Sequence, residues 1–138
     1  MTATDHPARV LVVDDAATVR LYHSEVLTAA GFRVSQAANG LEAVECAMTD
    51  RFDLFIVDVN MPKMNGYACV ERLRGAAVGS VAPILMVSTE DRSVDSARAY
   101  AAGANLYLVK PVDPGRLARL AILLTMATTT DRPGEATP

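Results

Sequence analysis

The chain has 138 residues, the length of a single domain of ordinary size. Hydrophobic residues make up 51% of it and charged residues 21%, which excludes a disordered acidic chain, a collagen-like repeat and a disulfide-dense mini-protein. The net charge of -3 argues against a nucleic-acid-binding surface, which is normally basic. No apolar run approaches the ~18–20 residues of a membrane span, and the N-terminus lacks a signal-peptide pattern.

The first half of the chain alternates between strand and helix patterns. Residues 9–13 form a β-branched apolar run typical of a strand buried on both faces. A helix is predicted over residues 17–30, and a second strand begins at residue 32. The next helix starts at Asn39 as N-cap, with Glu42 completing a capping box. The apolar positions of these two helices are Val19, Tyr22, Val26 and Ala29 in the first, and Leu41, Val44 and Met48 in the second.

The second half repeats the alternation. Strands are predicted at residues 54–57, 83–87 and 106–109, and the last helix begins at Asp113 and Pro114 as N-cap and first helical residue. The apolar positions of the three helices are Tyr67, Val70 and Leu73, then Val94, Ala97 and Ala101, then Leu117, Leu120, Ala121 and Leu124.

Five strand-then-helix units predict an α/β fold in which a parallel sheet is covered by helices on both faces. Right-handed crossovers favour the flavodoxin-like strand order 2-1-3-4-5. We predict a folded domain at residues 9–126, a flexible N-terminus at residues 1–8 and a flexible tail at residues 127–138, because the last stretch has no apolar periodicity.

Reactive side chains follow the central strands where each one ends. Asp14 and Asp15 follow the first strand, Asp58 ends the third, Ser88 the fourth and Lys110 the fifth. Ligands of open α/β sheets bind at this edge. Two carboxylates ~4 Å apart repel by about 4 kcal/mol at an effective dielectric near 20. Either one acid is therefore protonated or a divalent cation binds, and oxygen ligands suit Mg²⁺.

A carboxylate flanked by a metal ion and a lysine suits phosphoryl transfer, because that reaction depends on positioning and on charge neutralisation. Asp58 can itself be the nucleophile and form an acyl phosphate, and the Ser88 hydroxyl can bond a phosphoryl oxygen. Simpler interpretations exist: Asp14 and Asp15 could cap a helix, and Lys110 could be a solvated surface charge. The joint occurrence of the three acids and the lysine at the strand ends favours a phosphoryl-transfer site over these simpler interpretations.

The cysteines and histidines show no metal-ligand spacing. Cys46 and Cys69 are interpreted as reduced thiols packed on helices. His23 is interpreted as a helix-surface residue and His6 as part of the N-terminal tail.

A set of short motifs accompanies these acids: Asp14-Asp15, Asp58, Met61-Pro62, Met64, Gly66, Ser88 and Lys110-Pro111. Together they resemble the receiver domain of two-component response regulators, over roughly residues 9–126. Three further residues resemble those of stand-alone CheY-like chemotaxis regulators: Asn60, Glu90 and Tyr107.

The resemblance implies a role for each residue of the site. Asp58 would accept a phosphoryl group from the phosphohistidine of a sensor kinase. Mg²⁺ would be held by Asp15 and Asp58, by Asp14 mainly through water, and by the backbone carbonyl of Asn60. Lys110 would contact the phosphoryl group.

The resemblance also implies a switch. Ser88 and Tyr107 would move together on phosphorylation and change the surface of the last two helices, and the Lys110–Pro111 bond would be cis. The chain would be a cytoplasmic, monomeric signalling protein with no output domain, not an enzyme. Its partners would be a CheA-like histidine kinase or a histidine phosphotransfer protein, with a flagellar motor switch protein as target, and neither nucleic acid nor membrane.

Other functions remain open. The receiver could be a phosphorelay intermediate or a phosphate sink outside motility. An aspartate-dependent phosphatase is disfavoured, because its D-x-D motif would follow the first strand, where Asp14 and Asp15 are adjacent. A flavodoxin would have a phosphate loop rich in Ser, Thr and Gly there, and this chain continues with Ala16 and Ala17 instead.

Overall fold

Strands and helices alternate strictly in the structure, a computed structural model that describes residues 7–76 and 81–131, with the backbone alone for residues 127–131. The strands are β1 (Arg9–Val13), β2 (Arg33–Ala37), β3 (Leu54–Asp58), β4 (Ile84–Ser88) and β5 (Leu106–Val109). The helices are α1 (Ala17–Ala29), α2 (Gly40–Thr49), α3 (Gly66–Gly75), α4 (Ser93–Ala102) and α5 (Pro114–Asp131).

All five strands are parallel, and their order is β2-β1-β3-β4-β5, which confirms the predicted topology. The switch point lies between β1 and β3, where the direction of strand addition reverses. Val13 pairs with Val57, so the residues that follow them, Asp14 and Asp58, emerge side by side. Asp58 pairs with Val87, which places Ser88 one residue further along the neighbouring strand.

The sheet separates two apolar cores, because successive side chains of a strand point to opposite faces. Leu11 and Phe55 belong to the core shared with α2, α3 and α4, whereas Val10 and Leu54 belong to the core shared with α1 and α5. All four side chains are buried. Burial on both faces explains why β1, β3 and β4 are continuous apolar runs.

Two helices begin at the predicted caps, Asn39 and Asp113, and α3 begins at a third cap, Asn65. The side chain of Asn39 accepts from the backbone N–H of Glu42, and that of Asn65 accepts from Ala68. The carboxylate of Asp113 accepts from the N–H of Arg116 and caps α5 in the same way. Capping satisfies backbone donors that have no partner inside the helix.

The predicted helix faces are only partly correct. Tyr67, Val70 and Leu73 of α3 are buried, as are Leu117 and Ala121 of α5. In α1 the buried residues are His23, Ser24 and Leu27 rather than the four apolar positions. In α2 and α4, Leu41, Met48 and Val94 are exposed. Small and polar side chains fill the space beneath these helices, so apolar spacing alone does not locate their inner faces.

Helix α5 continues to Asp131, five residues into the segment predicted as a tail. The reason is that an established helix propagates by one backbone hydrogen bond per added residue, without needing apolar periodicity. The remainder of the predicted tail, residues 132–138, and residues 1–6 lie outside the described residues. Among the helices described, none has the length and apolar character needed to cross a bilayer.

Candidate functional site

Three carboxylates converge at the carboxyl edge of the sheet. Asp14, Asp15 and Asp58 each offer an oxygen, and these oxygens lie within 4.8 Å of one another. Asp14 is 1% exposed and Asp58 4%, whereas Asp15 is exposed. Two ionisable acids therefore lie below the surface and a third lies at its rim.

Lys110 reaches both buried acids from the end of β5. Its ammonium nitrogen lies 2.8 Å from Oδ1 of Asp58 and 2.9 Å from Oδ2 of Asp14. Burial opposes the charged form of this lysine, but its hydrogen bonds to Asp58 and Asp14 outweigh burial, so the pKa of Lys110 is raised. The lysine therefore supplies a permanent positive charge between the two acids.

Asp58 keeps one oxygen available for reaction. Lys110 holds Oδ1, while Oδ2 accepts no hydrogen bond from any residue that the structure describes. Burial raises the pKa of Asp58, and the hydrogen bond from Lys110 only partly offsets this effect; the negative charges of Asp14 and Asp15 add to it. A cation placed at Oδ2 would favour the ionised carboxylate.

Asp14 is fixed more firmly than its neighbours. Its Oδ1 accepts from the backbone N–H of Ala16 at 2.9 Å, and its Oδ2 accepts from Lys110. Arg20 of α1 donates to the backbone carbonyl of Asp14 at 2.7 Å and to the side chain of Gln36 at 3.0 Å. Sequence reasoning missed Arg20, whose place one turn into α1 is the only signal that it faces the strand ends.

The residues present fit a divalent cation. Three carboxylates against one lysine leave a net negative charge in the pocket, and the donor set consists of oxygens. Magnesium prefers oxygen ligands and retains water, which suits the exposed position of Asp15. Asn60, also exposed, lies two residues beyond Asp58 at the start of the β3–α3 loop.

The two predicted switch residues both bind the backbone of Glu90. The hydroxyl of Ser88, which is fully buried, accepts from the N–H of Glu90 at 3.0 Å. The hydroxyl of Tyr107, which is half-buried, donates to the carbonyl of Glu90 at 2.8 Å. One peptide segment of the β4–α4 loop therefore connects the strand-end hydroxyl with the tyrosine of β5.

The loops at this edge approach the site closely. The Lys110–Pro111 bond is cis, the configuration that the resemblance implied. Lys63 in the β3–α3 loop has a φ of 69°, in the left-handed region, and Met61 and Met64 pack into the apolar core beside α2. These two methionines thus anchor the loop.

His23 is the clearest departure from the sequence interpretation. The sequence places it on the helix surface, but it is 2% exposed, and its Nδ1 is a buried nitrogen without a hydrogen-bond partner in the part of the chain that the structure describes. Burial lowers the pKa of His23, with an opposing contribution from Asp14. The cysteines do match expectation: both are free thiols, on α2 and α3, and burial raises the pKa of Cys69 to about 12.

The fold and the site define a class: a doubly wound α/β protein with acids and a lysine gathered at the switch point of its sheet. The chain belongs to the response regulator receiver domain family, whose model matches residues 10–122. It is therefore a receiver domain of two-component signalling, a class of signalling proteins rather than classical enzymes.

Two curated relatives are similar over most of their length. Protein PilH of Pseudomonas aeruginosa is 35% identical over 106 residues, covering 77% of this chain and 88% of PilH. Chemotaxis protein CheY of Thermotoga maritima is 36% identical over 110 residues, covering 79% of this chain and 90% of CheY. For other relatives, such as response regulator MprA of Mycolicibacterium vanbaalenii, the match spans only about half of the longer protein.

Solved structures support the same family. Chemotaxis protein CheY4 of Vibrio cholerae has a TM-score of 0.82 at 39% identity, covering 86% of this chain and 98% of that one. The receiver domain of sensor histidine kinase PA1611 of Pseudomonas aeruginosa has a TM-score of 0.81 at 27% identity, covering 87% and 98%. That receiver holds a magnesium ion in its active-site cleft.

Proposed function

We propose that Asp58 accepts a phosphoryl group from the phosphohistidine of a sensor histidine kinase, and that this modification switches the affinity of the protein for its partners. The observation that supports this most directly is the environment of Asp58. It is a buried carboxylate with one oxygen held by Lys110 and the other without a donor among the described residues.

Asp14, Asp15, Asp58 and the backbone carbonyl of Asn60 would hold Mg²⁺, as the oxygen-rich pocket and the magnesium-bound PA1611 receiver suggest. When bound, the ion would neutralise charge that builds up on the phosphoryl oxygens. Lys110 supplies a second cation on the opposite side of the acceptor carboxylate.

The transfer balances simply. A carboxylate oxygen of Asp58 forms a bond to phosphorus, and the bond between phosphorus and the imidazole nitrogen of the donor breaks. The imidazole keeps the electron pair and takes up a proton. Lys110 already lies 2.8 Å from Asp58 and holds the carboxylate in place during the attack, then bonds to the phosphoryl oxygens.

The switch would use the two hydroxyls that bind Glu90. Ser88 accepts from Glu90 and still has its own hydrogen to donate to a phosphoryl oxygen. As Ser88 is drawn toward the phosphoryl group, Glu90 and then Tyr107 would follow, because all three are connected by hydrogen bonds. The surface formed by α4, β5 and α5 would change as a result.

We place this switch in chemotaxis or motility signalling, since CheY and PilH are similar over most of their length. The phosphodonor would be a CheA-like kinase or a histidine phosphotransfer protein, and the target a flagellar motor switch protein. The protein would act as a monomer in the cytoplasm.

A second candidate is a phosphorelay intermediate or phosphate sink outside motility. The similarity to the receiver of sensor histidine kinase PA1611 supports it. The two roles differ in what the phosphorylated protein does next. Tight binding to a motor switch protein favours the first, and rapid phosphoryl transfer to a histidine phosphotransfer protein favours the second.

The test is incubation with acetyl phosphate and Mg²⁺, followed by measurement of the intact mass. We expect one phosphoryl adduct in the wild type and none after chelation of the metal. Asp58→Asn should give no adduct, whereas Asp91→Asn, at an exposed position in the β4–α4 loop, should give a normal one. An adduct that persists in Asp58→Asn would overturn the assignment.

A further inference from the structure

Tyr67, the second residue of α3, contacts α4 in two ways. The guanidinium carbon of Arg98 lies 4.1 Å from the centroid of its ring, in a cation–π contact. Its hydroxyl donates to the backbone carbonyl of Asp95 at 3.4 Å, a long hydrogen bond. The tyrosine is 6% exposed, and burial raises the pKa of Tyr67, so the hydroxyl stays protonated and able to donate. Tyr67 therefore connects α3 to α4 at Asp95 and Arg98.

At its N-terminus, α3 also contacts the backbone at the end of β3, the strand that carries Asp58. Gly66 donates its N–H to the carbonyl of Val59 at 2.8 Å. A Cβ at Gly66 would lie 2.7 Å from the Cα of Val59 and closer still to the carbonyl oxygen of Asp58. Helix α3 thus begins in direct backbone contact with the end of β3, and Tyr67 is the next residue along.

A second set of contacts fixes Asp95 at the N-terminus of α4. The Asp95 carboxylate accepts from the N–H of Arg92 at 3.3 Å and from its Nε at 3.2 Å, at the N-terminus of α4. Asp95 therefore bonds the start of α4 through its side chain and Tyr67 through its carbonyl. Tyr107, which donates to Glu90, packs against the same apolar core that contains Tyr67.

We propose that Tyr67 is a positioning residue that transmits the state of Asp58 to α4 through Arg98 and Asp95. The inference rests on the proposed function, because it assigns a route by which phosphorylation of Asp58 reaches that helix. This route runs through α3 and is separate from the hydrogen bonds of Ser88 and Tyr107. A shift of the Asp58 backbone moves Gly66 and Tyr67 together, and Arg98 follows the ring.

Hydrogen exchange of the α4 backbone amides, before and after phosphorylation with acetyl phosphate and Mg²⁺, measures this coupling. In the wild type we expect phosphorylation to change the exchange rates of α4. Arg98→Met should reduce that change about threefold, the size expected for loss of one partly exposed cation–π contact. Arg98→Lys keeps a cation over the ring and should restore most of the response. Tyr67→Phe, which keeps the ring, should have a smaller effect than Arg98→Met.

Two matched controls remove the same groups elsewhere. Arg116→Met deletes an exposed guanidinium on α5, and Tyr100→Phe deletes an exposed hydroxyl on α4 that donates no hydrogen bond to a described residue. Both should respond as the wild type does. The lifetime of the phosphoryl group is a second readout: if the route from Tyr67 ends at Asp58, Arg98→Met should change this lifetime about threefold. A residue that only packs α3 against α4 would leave the lifetime unchanged.

The possible results distinguish a coupling role of Tyr67 from a purely structural one. If α4 of Arg98→Met responds to phosphorylation as the wild type does, with an unchanged phosphoryl lifetime, Tyr67 only packs α3 against α4 and the inference is wrong. If Arg98→Met does not fold, Tyr67→Phe decides: a weaker α4 response than in the wild type supports the inference, and an α4 response and phosphoryl lifetime equal to those of the wild type contradict it. If the wild type acquires no phosphoryl mass, the proposed function fails and the inference fails with it.

Discussion

Individual buried charges set the pH response of this protein. Asp58 and Lys110 are both largely removed from water, and the ammonium nitrogen of Lys110 lies 2.8 Å from Oδ1 of Asp58, so each group favours the charged form of the other. Asp14 adds a second negative charge beside the same lysine. The pocket therefore holds more negative than positive charge. This imbalance lowers the free energy of unfolding of the metal-free protein.

Replacing the phosphoacceptor carboxylate should stabilise the metal-free protein at neutral pH. Burial raises the pKa of Asp58, so the folded protein holds this proton more tightly than the unfolded chain, and the stability gained is lost as pH rises through the folded-state pKa. We expect Asp58→Asn to raise the free energy of unfolding by about 1 kcal/mol at pH 7 and by less at pH 4. Urea unfolding without Mg²⁺ measures this; a variant less stable than the wild type at pH 7 contradicts it.

His23 should make the protein sensitive to acid. Burial lowers the pKa of His23, so the unfolded chain binds its proton more readily; the stability from the neutral imidazole is present above pH 6.5 and is lost as pH falls through the folded-state pKa. We expect His23→Leu to raise the free energy of unfolding by about 1–2 kcal/mol at pH 7, because the substitution removes a buried nitrogen that bonds to none of the described residues. The gain should increase toward pH 5. Urea unfolding at both pH values tests this, and equal gains would refute the titration.

At the scale of elements, the junction between β3 and α3 is the most tightly built. Only glycine allows this close approach at position 66, because a Cβ added there would meet backbone atoms of Asp58 and Val59. At the other end of the same helix, a Cβ at Gly75 would meet no atom of the described residues within 4 Å. The two glycines of α3 therefore differ in the space around them: position 66 has no room for a side chain, whereas position 75 does.

Gly66→Ala and Gly75→Ala should have opposite effects. Gly66→Ala forces α3 away from β3 and should lower the free energy of unfolding by about 2–3 kcal/mol while slowing phosphorylation of Asp58. Gly75→Ala should raise it by about 0.5–1 kcal/mol, because alanine has less backbone freedom in the unfolded chain. Thermal unfolding and adduct mass after a fixed time measure both; normal stability of Gly66→Ala would mean that α3 can shift freely.

The helix faces show what sequence patterns miss at this scale. Strand positions, helix caps and the order of elements depend on neighbours a few residues away, and these were predicted well. The inner face of α1 contains His23 and Ser24, whose polarity hides it from any apolar pattern. The inner residues of α4, Ala99 and Ala102, are no more apolar than its outer alanines. Only the neighbouring helices decide which side is covered.

At the scale of the whole molecule, the acids and the lysine lie at one edge of the sheet, and the apolar cores on the two faces of the sheet support that edge. Mg²⁺ binding at this edge should therefore stabilise the entire fold, because a ligand that binds only the folded state lowers its free energy.

We expect Mg²⁺ at about 100 times its dissociation constant to raise the free energy of unfolding by about 2.7 kcal/mol. The effect should disappear in Asp58→Asn and be retained in Asp91→Asn. Urea unfolding across a Mg²⁺ titration measures it. The same gain in Asp58→Asn would place the ion elsewhere.

Local patterns were enough to predict the order of elements, the strand order and the acids and lysine at the strand ends, because parallel strands present their carboxyl ends at one edge and each strand end is marked locally. The burial of His23, the contact of Arg20 with Asp14 and the contact of Tyr67 with Arg98 follow instead from how the elements pack. These contacts join residues from different elements, and their energies depend on how the helices pack over the sheet. No local pattern records that packing.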